Sequence, residues 1–199
     1  MVTTMWNERY SQLEYAFGIQ PNDFLVEVSQ QIPSGRVLCL GEGECRNAVY
    51  LAQQGYQVTA VDASAVGLEK AQKLAAKKSV TIETIVADLA DFVVQPNAWD
   101  GIVSIFCHLL PSLRAQTHRQ AVAGLRSQGV FILEAYTFHQ LDFKTGGSPR
   151  VELMMDLTIL RRELKGLVFN HAVELEREIQ EGQFHQGRSA VVQVLGFKS

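Results

Sequence analysis

Short apolar runs alternate with helically periodic stretches through the middle of this chain, the order expected of a mostly parallel sheet with helical crossovers. Apolar runs at 36–40, 57–61, 81–86, 101–105 and 130–136 predict strands. Between the first two, residues 46–53 put Val49, Leu51 and Ala52 on one side of a helix, with Gly55 as its stop. Ser64 predicts the N-cap of the next helix, whose inward stripe is Val66, Ala71, Leu74 and Ala75. Residues 111–126 predict another, with Leu113, Val122 and Leu125 inward and Gly129 behind it.

The pattern changes towards both ends. A helix over 153–164 precedes two runs, 170–180 and 189–197, that alternate or are β-branched. They predict a long antiparallel pair closing one sheet edge, joined by "EGQFHQGR" as a loop of moderate length. Two helical stretches lead the chain. Asn22 predicts the N-cap of the second, with Phe24, Leu25 and Val28 inward, and Pro33, Ser34 and Gly35 punctuate entry into the sheet. No linker or repeat interrupts this order, so residues 1–199 are expected to form one domain. It comprises an N-terminal helical cap (1–35), a cofactor-binding core (36–136) and a substrate loop, helix and closing strand pair (137–199).

Composition narrows the partners. With 47% hydrophobic and 20% charged residues in 199, the chain has the make-up of an ordinary globular protein. A formal charge of −3 speaks against a nucleic-acid partner, which needs concentrated Lys and Arg. Cys39, Cys45 and Cys107 lack paired spacing and predict reduced thiols, hence a cytoplasmic setting. The start has no apolar core of a secretory signal, and no run reaches the roughly 18 residues that span a membrane, so no membrane partner is expected.

The chemistry begins at "VLCLGEGECRNAVYLA", residues 37–52, a strand, a glycine turn and a helix. Gly41 and Gly43 let a ligand approach the backbone, and the following helix directs free N–H groups at it. A dinucleotide fingerprint needs glycine where Arg46 stands, and the Lys and Ser/Thr of a P-loop are missing. Glu42 and Glu44 would repel a pyrophosphate. S-adenosylmethionine has the opposite profile: no phosphates, a sulfonium and an ammonium. Arg46, Asn47 or the helix N–H groups would meet its carboxylate. Asp62 follows Gly41 by 62 − 41 = 21 positions, close to the roughly 20 of a ribose-binding acid, with Ala63 and Ser64 beside it. Asp88 and Leu89, after the third strand, offer a carboxylate and an N–H to an adenine edge. Three such sites at successive strand ends predict one cofactor trough.

The series "VLCLGEGECRNAVYLAQQGYQVTAVDAS…VADLADF…WDGIVSIFCHLL…GVFILEAY" resembles class I S-adenosylmethionine-dependent methyltransferases over residues 36–136. The turn "CRN" and the leader "WNERY…FGIQPNDFL" are similar to the small tellurite-resistance and thiol-methylating group. Cys39 stands where the family usually has an acid, and Cys45 where it has glycine. The resemblance implies an α/β, Rossmann-like fold: a seven-stranded mixed sheet, its last strand antiparallel, with helices on both faces. It implies S-adenosylmethionine as cofactor and methyl transfer to a small molecule such as a thiol, selenol or metalloid oxyanion. It also puts "SIFCHLLP" between methyl and acceptor, with Phe106 against the cofactor, Cys107 beside it and His108 as a candidate base. Trp6, Arg9 and Tyr10 become lid candidates, and Tyr136, His139 and "LDFKTGGSPR" flank the substrate mouth. A nicotinamide-dependent oxidoreductase and a binding module without turnover are the rival readings. His118, His171 and His185 share no metal-ligand spacing with carboxylates, and no metal is expected.

Overall fold

The computed structural model describes residues 2–199, with side chains from residue 3. The central strand, β1 (Arg36–Leu40), pairs in parallel with β2 (Gln57–Asp62), which pairs with β3 (Glu83–Val86). On its other side β4 (Trp99–Ile105) and then β5 (Leu125–Tyr136) continue the parallel sheet. A hairpin of β6 (Leu167–Glu181) and β7 (His185–Lys198) completes it, β7 antiparallel to β5 and β6 at the edge. The order is therefore β3-β2-β1-β4-β5-β7-β6, a seven-stranded mixed sheet.

Alternation along the strands supplies two apolar faces. Val37 and Cys39 of β1 face the layer of α2 (Asp23–Val28), α3 (Arg46–Gln53) and α4 (Ala65–Lys77). Leu38 and Leu40 face the opposite layer, α5 (Pro111–Gly124) and α7 (Leu157–Glu163). A strand covered on both faces reads as a continuous apolar run, which is why the core strands stand out in the sequence. The leading helix α1 (Val2–Tyr10) lies against α4, and the short α6 (Gln140–Phe143) against β7. The caps form as expected: Asn22 accepts from the Leu25 N–H and Ser64 from the Gly67 N–H, each at 3.0 Å.

Four boundaries differ from the sequence reading. The "EGQFHQGR" loop is absent as such: pairing runs to Glu181↔His185, leaving residues 182–184 as the turn. Charged and amide side chains hid these residues, because an edge strand tolerates them on its solvent face. The helix expected over 153–164 is a 3₁₀ turn, Val151–Leu153, followed by α7, which starts where the Asp156 side chain caps the Ile159 N–H at 2.7 Å. Helix α5 ends at Gly124 and β5 absorbs Leu125 to Gly129. Its inward face is polar: Arg114 and His118 are buried and both bond Glu163 of α7, while Leu113 and Val122 stay half-buried. The third strand begins at Glu83, and Val66 is half-buried. Among the described residues no helix is long and apolar enough to cross a membrane.

Candidate active site at the carboxyl edge of the sheet

The chain leaves β1 through a turn that only a few conformations can make. Gly41 and Gly43 have φ of +60° and +57°, and Cys45 follows at +61° before α3 begins. Left-handed backbone favours glycine, so Cys45 holds a strained position where a glycine would relax it. At Gly41 a side chain is excluded outright, since a Cβ would stand 2.5 Å from Cys107 Sγ. Gly43 lies directly under the Tyr10 hydroxyl.

Asp62, at the end of β2, organises this turn. One carboxylate oxygen accepts from the Gly43 N–H and the other from the Ser64 N–H, each at 2.8 Å. Burial pushes its pKa up, and these two N–H groups oppose that. A carboxylate has about four acceptor positions, so two remain for a ligand. Beyond β3, the Asp88 Oδ1 accepts from the Ala90 N–H at 2.9 Å, and among the described residues no hydrogen bond engages Asp88 Oδ2 or the Leu89 N–H. Ala63 lies half-buried between Asp62 and the Ser64 cap.

The two glutamates of the turn face inward. Glu44 accepts from the Ala16 N–H at 2.7 Å and pairs with Lys70 at 2.5 Å. Glu42 accepts from the Ala48 N–H at 2.7 Å, in the first turn of α3. Burial pushes its pKa up to about 7, against the Ala48 N–H and the charge of Arg46, which lower it. A carboxyl that holds its proton more tightly folded than unfolded makes stability fall as pH rises from about 4.5 through about 7. Glu42→Gln keeps an acceptor for Ala48 and removes that charge. Urea unfolding at pH 5 and pH 8 is expected to show the variant losing less stability over this interval than the wild type. Equal losses in the two proteins contradict it.

Arg46 and Asn47 meet the leader and the hairpin. The Arg46 guanidinium donates to the Gln20 carbonyl at 2.9 Å and to Glu181 at 2.6 Å, and Asn47 Oδ1 accepts from the Asn22 N–H at 2.8 Å. A role at the cofactor's amino-acid end requires them to exchange these partners. The lid candidates lie over the turn. Tyr10 is buried, Trp6 stacks on it at 5.5 Å, and the Arg9 guanidinium sits over Phe184 at 4.6 Å. Asn7 ties α1 to α4 by accepting from the Ser64 hydroxyl at 2.6 Å.

The segment after β4 turns sharply at Phe106, whose φ is +51° and whose N–H bonds the Glu134 carbonyl at 2.8 Å. Strain in a non-glycine residue at a strand end is a recurrent mark of functional sites. Phe106 then packs on Tyr136 at 4.7 Å. His108 stacks parallel to Tyr136, and its Nε2 accepts from the Tyr136 N–H at 3.2 Å. Burial, and then the nearby His185, lower its pKa to about 4. His108 is therefore neutral, and its accepting nitrogen is committed to backbone. His139 lies exposed at the start of α6.

Several site residues escaped the sequence reading. Glu134, hidden in the apolar run of β5, is completely buried and chelated by Arg177 at 2.8 and 2.9 Å. Arg177, Glu181 and His185 come from the hairpin, and Phe17 of the leader packs on the His185 ring at 4.5 Å. One signal was available: a lone acid inside an apolar strand must find a cation. No group of three or more metal-ligating side chains occurs among the described residues.

Comparison with known proteins follows the same lines. Residues 37–129 match the family model described as "Methyltransferase domain". A 2-heptyl-1-hydroxyquinolin-4(1H)-one methyltransferase from Mycobacteroides abscessus is 26% identical over 117 residues, 58% of this chain and 52% of that protein. The chain thus spans about half the length of this curated relative. A structure from the conversion of a disulfide bond into a thioacetal group during echinomycin biosynthesis covers 100% of this chain and 92% of its own, at TM-score 0.81 and 15% identity. TehB from Haemophilus influenzae covers 99% of this chain and 67% of its own, at TM-score 0.75 and 19% identity. An S-adenosylmethionine-dependent methyltransferase from Clostridium acetobutylicum covers 89% and 90%, at TM-score 0.68 and 13% identity. At these identities the structures speak to the fold, and all share it.

Proposed function

We propose that residues 37–129, which match the family model described as "Methyltransferase domain", form a methyltransferase domain of the class I, S-adenosylmethionine-dependent kind, and that the chain moves a methyl group from that cofactor to a small molecule. Among small-molecule acceptors, a thiol, a selenol or a metalloid oxyanion asks the least proton chemistry of the protein. One observation carries this reading: Asp62, at the end of β2, ties the glycine turn after β1 while keeping acceptor positions free.

The residues fit the cofactor chemically. Gly41 and Gly43 carry no side chains, Cys107 and Tyr10 pack directly on them, and a ligand against this backbone takes the place of the Tyr10 hydroxyl; a carboxylate beside it favours a cation over a pyrophosphate. Asp62 accepts from the ribose hydroxyls. Asp88 Oδ2 and the Leu89 N–H receive the adenine edge. S-adenosylmethionine supplies a methyl carbon made electrophilic by its sulfonium. The protein's task is then to align the partners and exclude water, which contributes through proximity more than through acid–base chemistry. Tyr10 and Trp6 cover the turn and Phe106 walls its far side, so the transfer takes place out of solvent. Thiolates and oxyanions arrive with a lone pair already free, and such acceptors need no base.

Calorimetric titration tests the first step. S-adenosylmethionine is expected to bind and NADH is not; no heat at about millimolar cofactor, some 4 kcal/mol of affinity, overturns the reading. Release of S-adenosylhomocysteine across a panel of thiols, selenite and tellurite tests turnover. Binding with no product on any acceptor identifies a module that holds the cofactor without transferring its methyl group.

A further inference from the structure

A second, aromatic-walled corner adjoins the cofactor trough. His185 opens β7 immediately after the hairpin turn, edge-on to Phe106 at 4.7 Å and to Tyr136 at 5.4 Å. Its Nδ1 lies 3.5 Å from Glu181 Oε2 on the other arm of the hairpin. No hydrogen bond engages its Nε2 among the described residues. Glu181 is itself anchored, by Arg46 at 2.6 Å and by the Asn22 side chain at 2.9 Å. Across the corner the Tyr136 hydroxyl is buried and, with the Ser189 hydroxyl near it, meets no hydrogen-bond geometry among the described residues. Buried hydroxyls are nearly always paired, and an orphan facing such a corner marks the place of a ligand atom.

Gly146 plugs the corner. A Cβ there would stand 2.6 Å from the Tyr136 hydroxyl, 2.8 Å from the Phe184 carbonyl and 3.1 Å from His185 Cδ2. The plug is held by exchangeable polar contacts: Gln140 to the Gly146 carbonyl at 3.2 Å, and the Thr145 hydroxyl to the Arg188 carbonyl at 2.8 Å. Lys144 and Gly147 are exposed and Thr145 and Gly146 half-buried, so withdrawal exchanges mainly hydrogen bonds that water can replace.

We propose that His185, oriented by Glu181, is the general base of the transfer, taking the proton of an aromatic hydroxyl acceptor that enters between Phe106, Tyr136 and His185 as the Gly146 segment withdraws. This rests on the methyl-transfer reading and names a substrate class for it. The flat walls suit a ring. An aromatic hydroxyl, with a pKa near that of tyrosine at about 10, is protonated at neutral pH and needs a base where a thiolate does not. In the step the acceptor O–H bond breaks and its proton goes to Nε2. The oxygen lone pair forms the bond to the methyl carbon, and the carbon–sulfur bond pair stays on sulfur, neutralising the sulfonium. The imidazolium so formed lies against Glu181 and later loses its proton to water. The charged and titratable groups around His185 are Glu181 of β6, Arg46 of α3, Arg9 of α1, His108 after β4 and Tyr136 of β5. Burial lowers its pKa against the pull of Glu181, so the base is neutral and ready. Burial opposes charge on Glu181 too, yet His185 and Arg46 hold its pKa at about 2, and the carboxylate stays ionised.

4-Nitrophenol reads the proton directly, since only its anion absorbs visible light. Protein saturated with S-adenosylhomocysteine is expected to bind it as the anion at a pH where free probe is the acid; His185→Gln should bind it unionised, and Tyr136→Phe should bind it several-fold more weakly. In turnover, His185→Gln should lower kcat on 4-nitrophenol about 10²-fold or more and leave 4-nitrothiophenol, already a thiolate, within about twofold. Nitrogen NMR of the wild type supplies a reading that no variant can spoil: His185 should be neutral with its proton on Nδ1. A proton on Nε2, anion formation unchanged in His185→Gln, equal losses on both acceptors, or no binding of the phenol each overturns the base. If S-adenosylhomocysteine binds and these fail, only the base falls; if the protein binds neither form of the cofactor, the methyl-transfer reading falls and takes the base with it.

Discussion

Asp62→Ala is expected to weaken S-adenosylmethionine binding about 100-fold. In the proposed site this side chain accepts from two ribose hydroxyls, and a hydrogen bond to a charged group contributes roughly 1.5–3 kcal/mol. Two such bonds, partly offset by water filling the gap, come to about 3 kcal/mol, or two decades of affinity. The same substitution orphans the Gly43 and Ser64 N–H groups, both buried, and so loosens the turn that admits the ligand. Asp62→Asn separates the two effects. Its amide oxygen still serves one N–H, but its NH2 faces the other, so the turn is half restored and the charge is lost. Asp88→Ala is the control for a site away from the core. Asp88 is exposed and holds only the Ala90 N–H, so folding should be untouched and affinity should fall about tenfold. Calorimetry beside a thermal melt decides it. Asp62→Ala binding within about threefold of the wild type, in a protein that melts normally, removes Asp62 from the site.

The part of the site that could be read from the chain is the part written in local patterns. Strands β1, β2, β4 and β5 are buried on both faces, so each carries a mostly apolar run. The glycine turn and Asp62 follow from spacing, because the reach of one βα unit fixes how far apart its ligand groups fall. The hairpin is legible as an antiparallel pair over 170–180 and 189–197, and only its tip lacks such a mark. Its outer strand is polar on the solvent side, and its turn residues look like loop on both flanks. His185 thus reads as a histidine without a role in the sequence, and only the folding of β6 and β7 brings it onto Phe106. Arg114 shows the same limit from the other direction. An arginine on a helix predicts a solvated face, but Glu163, 49 positions away, lets it turn inward. Long-range charge pairing is a property of the fold, and single-sequence periodicity is blind to it.

That pairing is where the second large effect is expected. Glu134→Ala should destabilise the protein by about 3–5 kcal/mol, a large fraction of the 5–15 kcal/mol that ordinarily holds a domain together. Both oxygens of the fully buried carboxylate are engaged. Arg177 donates at 2.8 and 2.9 Å, Gln193 donates at 2.8 Å, and Asn22 supplies the fourth contact. Removing the acid strands Arg177, whose remaining acids are the exposed Asp23 at 3.1 Å and Glu181 at 3.7 Å. The penalty arises from the half-buried cation left with weaker partners more than from the lost attraction, and this makes a specific prediction for the pair. Arg177→Met alone should also be costly, since it leaves the Glu134 charge uncompensated. The double variant Glu134→Ala with Arg177→Met should be less destabilised than the sum of the two single changes by about 1–3 kcal/mol, because neither charge remains. The loss also reaches the catalytic end of the sheet. Asn22 bonds Glu134 and Glu181 through one amide nitrogen and caps α2 through its oxygen, so the cluster fixes the hairpin tip that carries His185. Urea unfolding of the three variants measures the coupling. Single changes within about 1 kcal/mol of wild type, or strictly additive ones, show that the cluster is solvated and does not hold the hairpin.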